Sequence, residues 1–177
     1  TGLTPDQVFD IRAVSLLTNV FHWGSRLASG GIGGGREPMR GMVNTQPLRE
    51  FLTRSLTPQA DGSIAGIARN IVEGRLNAVA LSGASYTTGQ SVTWVQGKNV
   101  TLWQRPQRRS EMADLSVEHV MASSALPMLF PAVRVGAEWY GDGGMRLTDP
   151  RSPARHLGAT KNLTSAARYK RAVAKAG

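Results

Sequence analysis

The sequence contains no cysteine. This absence excludes disulfides, thiolate nucleophiles and cysteine-based metal sites, and it leaves the compartment open. No apolar run approaches the roughly 20 residues that a membrane-spanning helix needs, and the polar start Thr1-Gly2-Leu3 has no secretory pattern. We therefore expect a cytoplasmic or peripheral membrane location. The length of 177 residues and the hydrophobic content of 41% are typical of one domain with a core.

Acidic residues are also scarce, with 12 Asp and Glu against 21 Lys and Arg, which gives a net charge of +9. After Asp149 there is no further acid, and the basic residues there are Arg151, Arg155, Lys161, Arg168, Lys170, Arg171 and Lys175. A second basic patch comprises Lys98, Arg105, Arg108 and Arg109. Such charge attracts anionic partners, either a membrane surface or nucleic acid. Because aromatics make up only 6% of the chain and no nucleic-acid motif is present, we expect no nucleic-acid partner.

A Gly-x-Ser-x-Gly nucleophile motif is absent. Gly83-Ala-Ser-Tyr-Thr87 is one residue short of it: Thr87 replaces the final glycine that the strained turn requires, so Ser85 is a poor candidate nucleophile. The glycine run Gly30–Gly35 fits no phosphate-binding register, and we interpret it as a loop. The three histidines, His22, His119 and His156, have neither triad context nor metal spacing. We expect no metal and no cofactor.

Local signals predict alternating helices and strands. Thr4-Pro5 begins an apolar-faced helix, Asn44 or Thr45 begins a second, and Asp61-Gly-Ser63 caps a third. The apolar run Leu76–Leu81 predicts a buried strand, with Gln90–Gln96 as its hairpin partner. Val100–Trp103 is a candidate strand, and we interpret Gln104–Ser110 as a solvated basic loop.

The segment from Ser116 to Gly144 has the densest signals. Ser116 can cap a helix that Pro127 stops. Two short strands, 132–135 and 138–140, follow with Gly136 as their turn, and Asp142 comes directly after an aromatic strand end. Gly143 and Gly144 tolerate unusual backbone angles and close approach. A carboxylate held in this way can accept a hydrogen bond from a neighbouring group. An isolated Asp-Gly-Gly is also the pattern of a simple turn.

The chain resembles the patatin-like phospholipases from about Val43 to Ala159. The residues that carry the resemblance are Ala122-Ser-Ser-Ala-Leu-Pro-x-x-Phe-Pro131, Tyr140-Gly-Asp-Gly-Gly144, Pro153-Ala154 and Leu157-Gly-Ala159. The resemblance implies an α/β fold, a three-layer α/β/α arrangement with helices on both faces of a central sheet, here incomplete. It also implies that Asp142 is catalytic, supported by Gly143 and Gly144, and pairs with a serine to hydrolyse phospholipid or another acyl-ester lipid.

The resemblance also sets expectations about organisation. Residues 1–159 would be the C-terminal portion of a patatin-like acyl hydrolase domain, with the serine segment upstream, and residues 160–177 a divergent basic tail. Alone, the chain would supply only the aspartate of the Ser–Asp dyad and would be inactive. The alternative is a non-catalytic patatin-like remnant that binds anionic membranes through its basic residues.

Overall fold

The computed structural model describes residues 42–145 and 151–165. The helix predicted from Thr4, the Gly30–Gly35 run and most of the basic tail lie outside the described residues. In chain order the elements are α1 (Gln46–Leu56), α2 (Ala65–Val72), β1 (Ala78–Ser85), β2 (Ser91–Gly97), β3 (Gln104–Arg105), β4 (Arg108–Met112), α3 (Val117–Ser123), β5 (Val133–Val135), β6 (Glu138–Asp142), a 3₁₀ turn (Gly143–Met145) and α4 (Ser152–His156). The longest helix in these ranges, α1, has 11 residues, and none there could cross a bilayer.

Six strands form one mixed sheet in the order β3-β4-β2-β1-β6-β5. β1 and β2 form an antiparallel pair, from Ala78 opposite Gly97 to Ala84 opposite Ser91. β2 and β4 are parallel, and every other pair is antiparallel. A mixed sheet with packed helices confirms the predicted α/β class.

The core lies between this sheet and α3. Val92 and Trp94 of β2 are completely or almost completely buried on the face that α3 covers. The Trp94 ring meets the edges of His119 and Tyr140, with centroid distances of 5.0 Å and 4.7 Å. Burying each large side chain of this kind stabilises the fold by roughly 2–3 kcal/mol. Because Tyr140 belongs to β6, its contact with Trp94 also holds β6 against this core.

The capping residues in the sequence predicted the starts of α1 and α3, and the start of α2 differs. Asn44 Oδ1 accepts the Gln46 N–H at 2.9 Å, and α1 ends before Pro58 as predicted. Ser116 begins α3 with a capping box, in which His119 Nδ1 accepts the Ser116 N–H. Asp61 differs from the prediction: its carboxylate accepts the N–H and O–H of Ser63, and α2 begins only at Ala65.

Two predictions in the middle of the chain were wrong. Val100–Trp103 is not a strand, and the supposed loop 104–110 contains β3 and the start of β4. β4 pairs with β2 along its length, and its charged side chains have partners there: Arg109 Nη2 lies 3.1 Å from Glu138 Oε1, and Arg109 Nε lies 3.5 Å from Glu111 Oε2. β1 also begins two residues later than predicted and continues to Ser85.

The edge of β1 that faces β6 is only partly covered. β6 pairs with β1 from Gly83 to Ser85 and then ends, so no described strand lies beside residues 78–82 on that side. The side chains of Ala78, Ala80 and Ser82 point away from Trp94, because side chains alternate along a strand. The helix α4 lines a cavity with these three residues, and the candidate site lies there.

Candidate active site

Asp142 is the last residue of β6, and two hydrogen bonds fix its position. Its N–H donates to the Ala125 carbonyl at 2.8 Å, which ties the strand end to the segment after α3. Its Oδ1 accepts the Gly144 N–H, also at 2.8 Å. Within the described ranges, no cation forms an ion pair with the carboxylate, and Oδ2 accepts no hydrogen bond. One carboxylate oxygen is therefore held while the other can accept a proton.

Glycine at position 143 is required by a close backbone approach. A Cβ there would lie 2.3 Å from the Ser82 carbonyl oxygen and 2.5 Å from its carbonyl carbon. Neither atom can move without shifting β1. At Gly144 the atoms nearest to an added Cβ would be the Asp142 carboxylate oxygens, at 3.3 Å and 3.5 Å. Gly143 thus lets the chain turn against β1 directly after Asp142.

Asp142 lines a cavity of about 630 Å³. The cavity is bounded by the start of β1 with the residues before it, by the end of β6 and by α4. Its lining residues are Arg75, Leu76, Asn77, Ala78, Ala80, Leu81, Ser82, Ser123, Asp142, Gly143, Gly144, Pro153, Ala154, Leu157, Gly158 and Ala159. The structure thus brings Asp142, Gly143 and Gly144 together at a strand end beside a cavity.

Two serines that sequence reasoning did not select share this cavity. Ser82 Oγ lies 3.1 Å from Thr93 Oγ1 across the β1–β2 pair, and Ser123 is the last residue of α3. Neither belongs to a strand–turn–helix elbow, which is why no sequence motif marks them. Arg75 lies at the cavity as well, and it pairs with Glu73 at 3.1 Å.

Comparison with known proteins gives the family. A family model described as patatin-like phospholipase matches residues 9–155. The chain belongs to the patatin-like phospholipase family. The match begins well before Val43, where the resemblance of individual motifs starts, and it includes Asp142, Gly143 and Gly144. Comparison with curated proteins finds no match, and comparison with solved structures also finds none.

Ser85 of this patatin-like chain does not line the cavity. Its side chain is buried, its Oγ donates to Glu138 Oε2 at 2.6 Å, and it accepts the Thr88 N–H at 3.0 Å. Glu138 also accepts hydrogen bonds from Tyr140 and Arg109. The Ser85 hydrogen bond, with help from Arg109, lowers the pKa of Glu138 against the opposing effect of burial. A carboxylate stabilised in this way is a poor base, so Ser85 and Glu138 form a structural pair.

The two histidines in the described ranges have structural contacts. His119 is buried, caps α3 and packs edge-on against Trp94. Burial lowers the pKa of His119, although the charges of Glu111 and Glu118 oppose this shift. His156 is exposed and stacks on Trp103 at 4.6 Å. In this patatin-like chain, neither histidine lines the cavity that Asp142 borders.

Tyr86 lies close to the candidate acid. A Cβ on Gly141 would lie 2.2 Å from the Tyr86 hydroxyl, so the phenol ring crosses β6 one residue before Asp142. Burial and, to a lesser extent, the Asp142 charge raise the pKa of Tyr86. The phenol therefore remains a neutral hydrogen-bond donor at physiological pH beside the patatin-like Asp-Gly-Gly turn.

Proposed function

We propose that this chain contributes Asp142 to a Ser–Asp dyad that hydrolyses acyl-ester lipids. The observation that carries the proposal is that Asp142 lines a cavity of a patatin-like chain, with Oδ2 free of partners among the described residues. The serine hydroxyl would attack the ester carbonyl, and Asp142 would take its proton. The alcohol of the ester would then leave with that proton, and the acyl group would remain on the serine oxygen. Water, deprotonated by Asp142, would attack this acyl-serine, release the carboxylic acid and leave the serine hydroxyl with its proton restored.

The turn after β6 supports this role by orienting the base. The Gly144 N–H holds Oδ1, and the Ala125 carbonyl holds the Asp142 N–H, so the carboxylate cannot rotate freely. A carboxylate is a weak base for an alcohol, and orientation therefore has to supply part of the rate. The apolar and small residues of the wall, Leu81, Ala80 and Leu157 among them, suit an acyl chain.

The serine of the proposed dyad has to come from a strained elbow, and no Gly-x-Ser-x-Gly occurs in the 177 residues. We infer that it lies on polypeptide outside them. The edge of β1 at residues 78–82 supports this inference, because no described strand covers it and it borders the cavity that contains Asp142. A strand added there would bring its end next to the carboxylate.

Phospholipid turnover by a form of the protein that carries such an elbow tests the proposal. Asp142→Asn keeps the shape and removes the base, so kcat should fall by about 10³-fold, within the usual range for a general base. Asp142→Ala should be similar. Asp114→Asn is the matched control, since Asp114 is exposed and lines a different cavity, and it should stay within about twofold of wild type. Circular dichroism checks folding, and an Asp142→Asn variant with near-normal kcat would refute the proposal.

A further inference from the structure

A second cavity, of about 360 Å³, is lined by Arg105, Ser152, Arg155 and His156. We call it the cationic pocket. Arg105 belongs to the edge strand β3, and the other three residues belong to α4. Among the residues that the structure describes, no acidic residue lines it. It is separate from the cavity of Asp142, because α4 turns Pro153 and Ala154 toward that cavity and Arg155 and His156 toward this one.

The wall of the cationic pocket is anchored by Trp103. The Trp103 N–H donates to Ser110 Oγ at 2.7 Å, and the Trp103 carbonyl accepts the Ser110 N–H at 2.9 Å and the Ser110 hydroxyl at 3.1 Å. Ser110 is itself buried in β4. The Trp103 ring then stacks on His156, with an angle of 16° between the planes. This contact holds α4 against the edge of the sheet, so the two arginines face one defined space.

Both arginines of the pocket lack a carboxylate partner within residues 42–145 and 151–165. Arg49, Arg75 and Arg109 form ion pairs with Glu118, with Glu73, and with Glu111 and Glu138, respectively. Neither Arg105 nor Arg155 makes such a pair in the described part of the chain. Two like charges at one pocket repel each other, and an anion between them would remove that repulsion. The pocket is therefore electrostatically suited to an anion.

We propose that the cationic pocket binds a phosphate monoester, as found in the headgroup of an acidic phospholipid or in a free phosphate ester. Guanidinium groups match phosphate oxygens in bidentate geometry, and the Ser152 hydroxyl adds a donor. The pocket volume accommodates a phosphate with a glycerol-sized substituent. Nucleic acid fits less well, because single-stranded chains need stacking platforms and the Trp103 ring is already occupied by His156.

Vesicle binding by the 177-residue chain tests the proposal without any catalytic activity. The vesicles contain phosphatidylcholine alone or phosphatidylcholine with phosphatidic acid. Wild type should bind only the second kind, and Arg105→Gln/Arg155→Gln should weaken that binding at least about tenfold, since each charge-assisted hydrogen bond contributes on this order. Arg54→Gln/Arg69→Gln is the control: both arginines are exposed and outside the pocket, and the net charge falls equally, from +9 to +7.

Competition distinguishes the two sources of phosphate. If glycerol 3-phosphate displaces the chain from vesicles, a free ester suffices; if only phosphatidic acid binds, the pocket requires the lipid surface. Both results support the pocket, provided that the pocket variant binds more weakly than the control. Equal losses in the two double variants would overturn the proposal in favour of general charge attraction. Tighter binding of an RNA oligomer than of phosphatidic acid vesicles would also overturn it. Thermal unfolding of each variant confirms that folding is unchanged.

Discussion

Glu138 and Asp142 lie four residues apart on β6, and their carboxylates have opposite surroundings. Glu138 receives hydrogen bonds from Ser85, Tyr140 and Arg109. From the described residues Asp142 receives one, donated by the Gly144 N–H, and Asp142 borders a cavity. Because one strand carries both, the bonds of Glu138 also hold β6 in register with β1. Glu138, whose carboxylate accepts several hydrogen bonds, stabilises the fold. Asp142, whose carboxylate has a free oxygen among the described residues, is the candidate base.

Removing the Glu138 charge should destabilise the protein at neutral pH. Glu138→Gln leaves Arg109, whose side chain is 24% exposed, with Glu111 as its remaining ion-pair partner among the described residues, beside its hydrogen bond to Gln90, so we expect a loss of about 1–3 kcal/mol. Since the folded pKa of Glu138 is lowered, its contribution is complete above the unfolded value near pH 4.3 and is lost as the pH falls further. Urea unfolding at pH 7 and pH 3.5 measures both effects.

The double variant Arg109→Gln/Glu138→Gln provides the control for the ion pair. With both charges removed, no uncompensated cation remains, and part of the lost stability should return. If Glu138→Gln is as stable as wild type at pH 7, and its stability falls with acid in the same way, the ion pair contributes nothing to stability.

His119 should also make the folding stability depend on pH, over a higher pH range than Glu138 does. Burial lowers its folded pKa, so the neutral ring is favoured in the folded protein. That stabilisation is present above the unfolded value near pH 6.5 and is lost as the pH falls through the folded pKa. His119→Gln keeps a side-chain acceptor for the Ser116 N–H and should remove this dependence. Thermal unfolding between pH 7.5 and pH 5 checks it, and an unchanged slope in the variant would contradict the assignment.

The sequence predicted those parts of the fold whose signals are local. The start of α3 at Ser116 and the β5–β6 turn at Gly136, which has a φ of 59°, depend on neighbouring residues and were confirmed. The strand β4 was missed because Arg109 looks solvated until Glu138, 29 residues later in the chain, is placed beside it. Its parallel pairing with β2 is likewise non-local.

The candidate site was predictable to a similar extent. The Asp-Gly-Gly segment after an aromatic strand end, together with the family motifs, directed attention to Asp142. Ser82 and Ser123 could not be found in this way, because a cavity assembled from β1, α3 and α4 has no sequence period. Ser85, the serine that the sequence analysis considered as a nucleophile, lies in a segment closer to the Gly-x-Ser-x-Gly motif, yet it does not line the cavity that Asp142 borders.

Gly143→Ala should disrupt the turn that holds Asp142. Its Cβ would collide with the Ser82 backbone at 2.3 Å, and we expect a loss of about 1–3 kcal/mol as β6 shifts. Gly66→Ala is the matched control, because its Cβ meets nothing within 4 Å and it lies within α2. That change should stabilise by up to about 1 kcal/mol. Urea unfolding compares them, and equal stability of the two variants would show that the close approach is unimportant.

The 177-residue chain alone should not react with a fluorophosphonate probe or hydrolyse nitrophenyl esters. Ser85 is buried, and its hydroxyl donates a hydrogen bond to Glu138, whose charge Arg109 neutralises. The Ser82 hydroxyl shares a hydrogen bond with the Thr93 hydroxyl. Ser123 lies near Asp142 without an elbow to expose its oxygen. Mass spectrometry of the treated chain would locate any adduct. Labelling of Ser123 or Ser82 that disappears in Asp142→Asn would place the nucleophile within this chain. Labelling of Ser85 that persists in Asp142→Asn would instead make Glu138 the acid of the dyad.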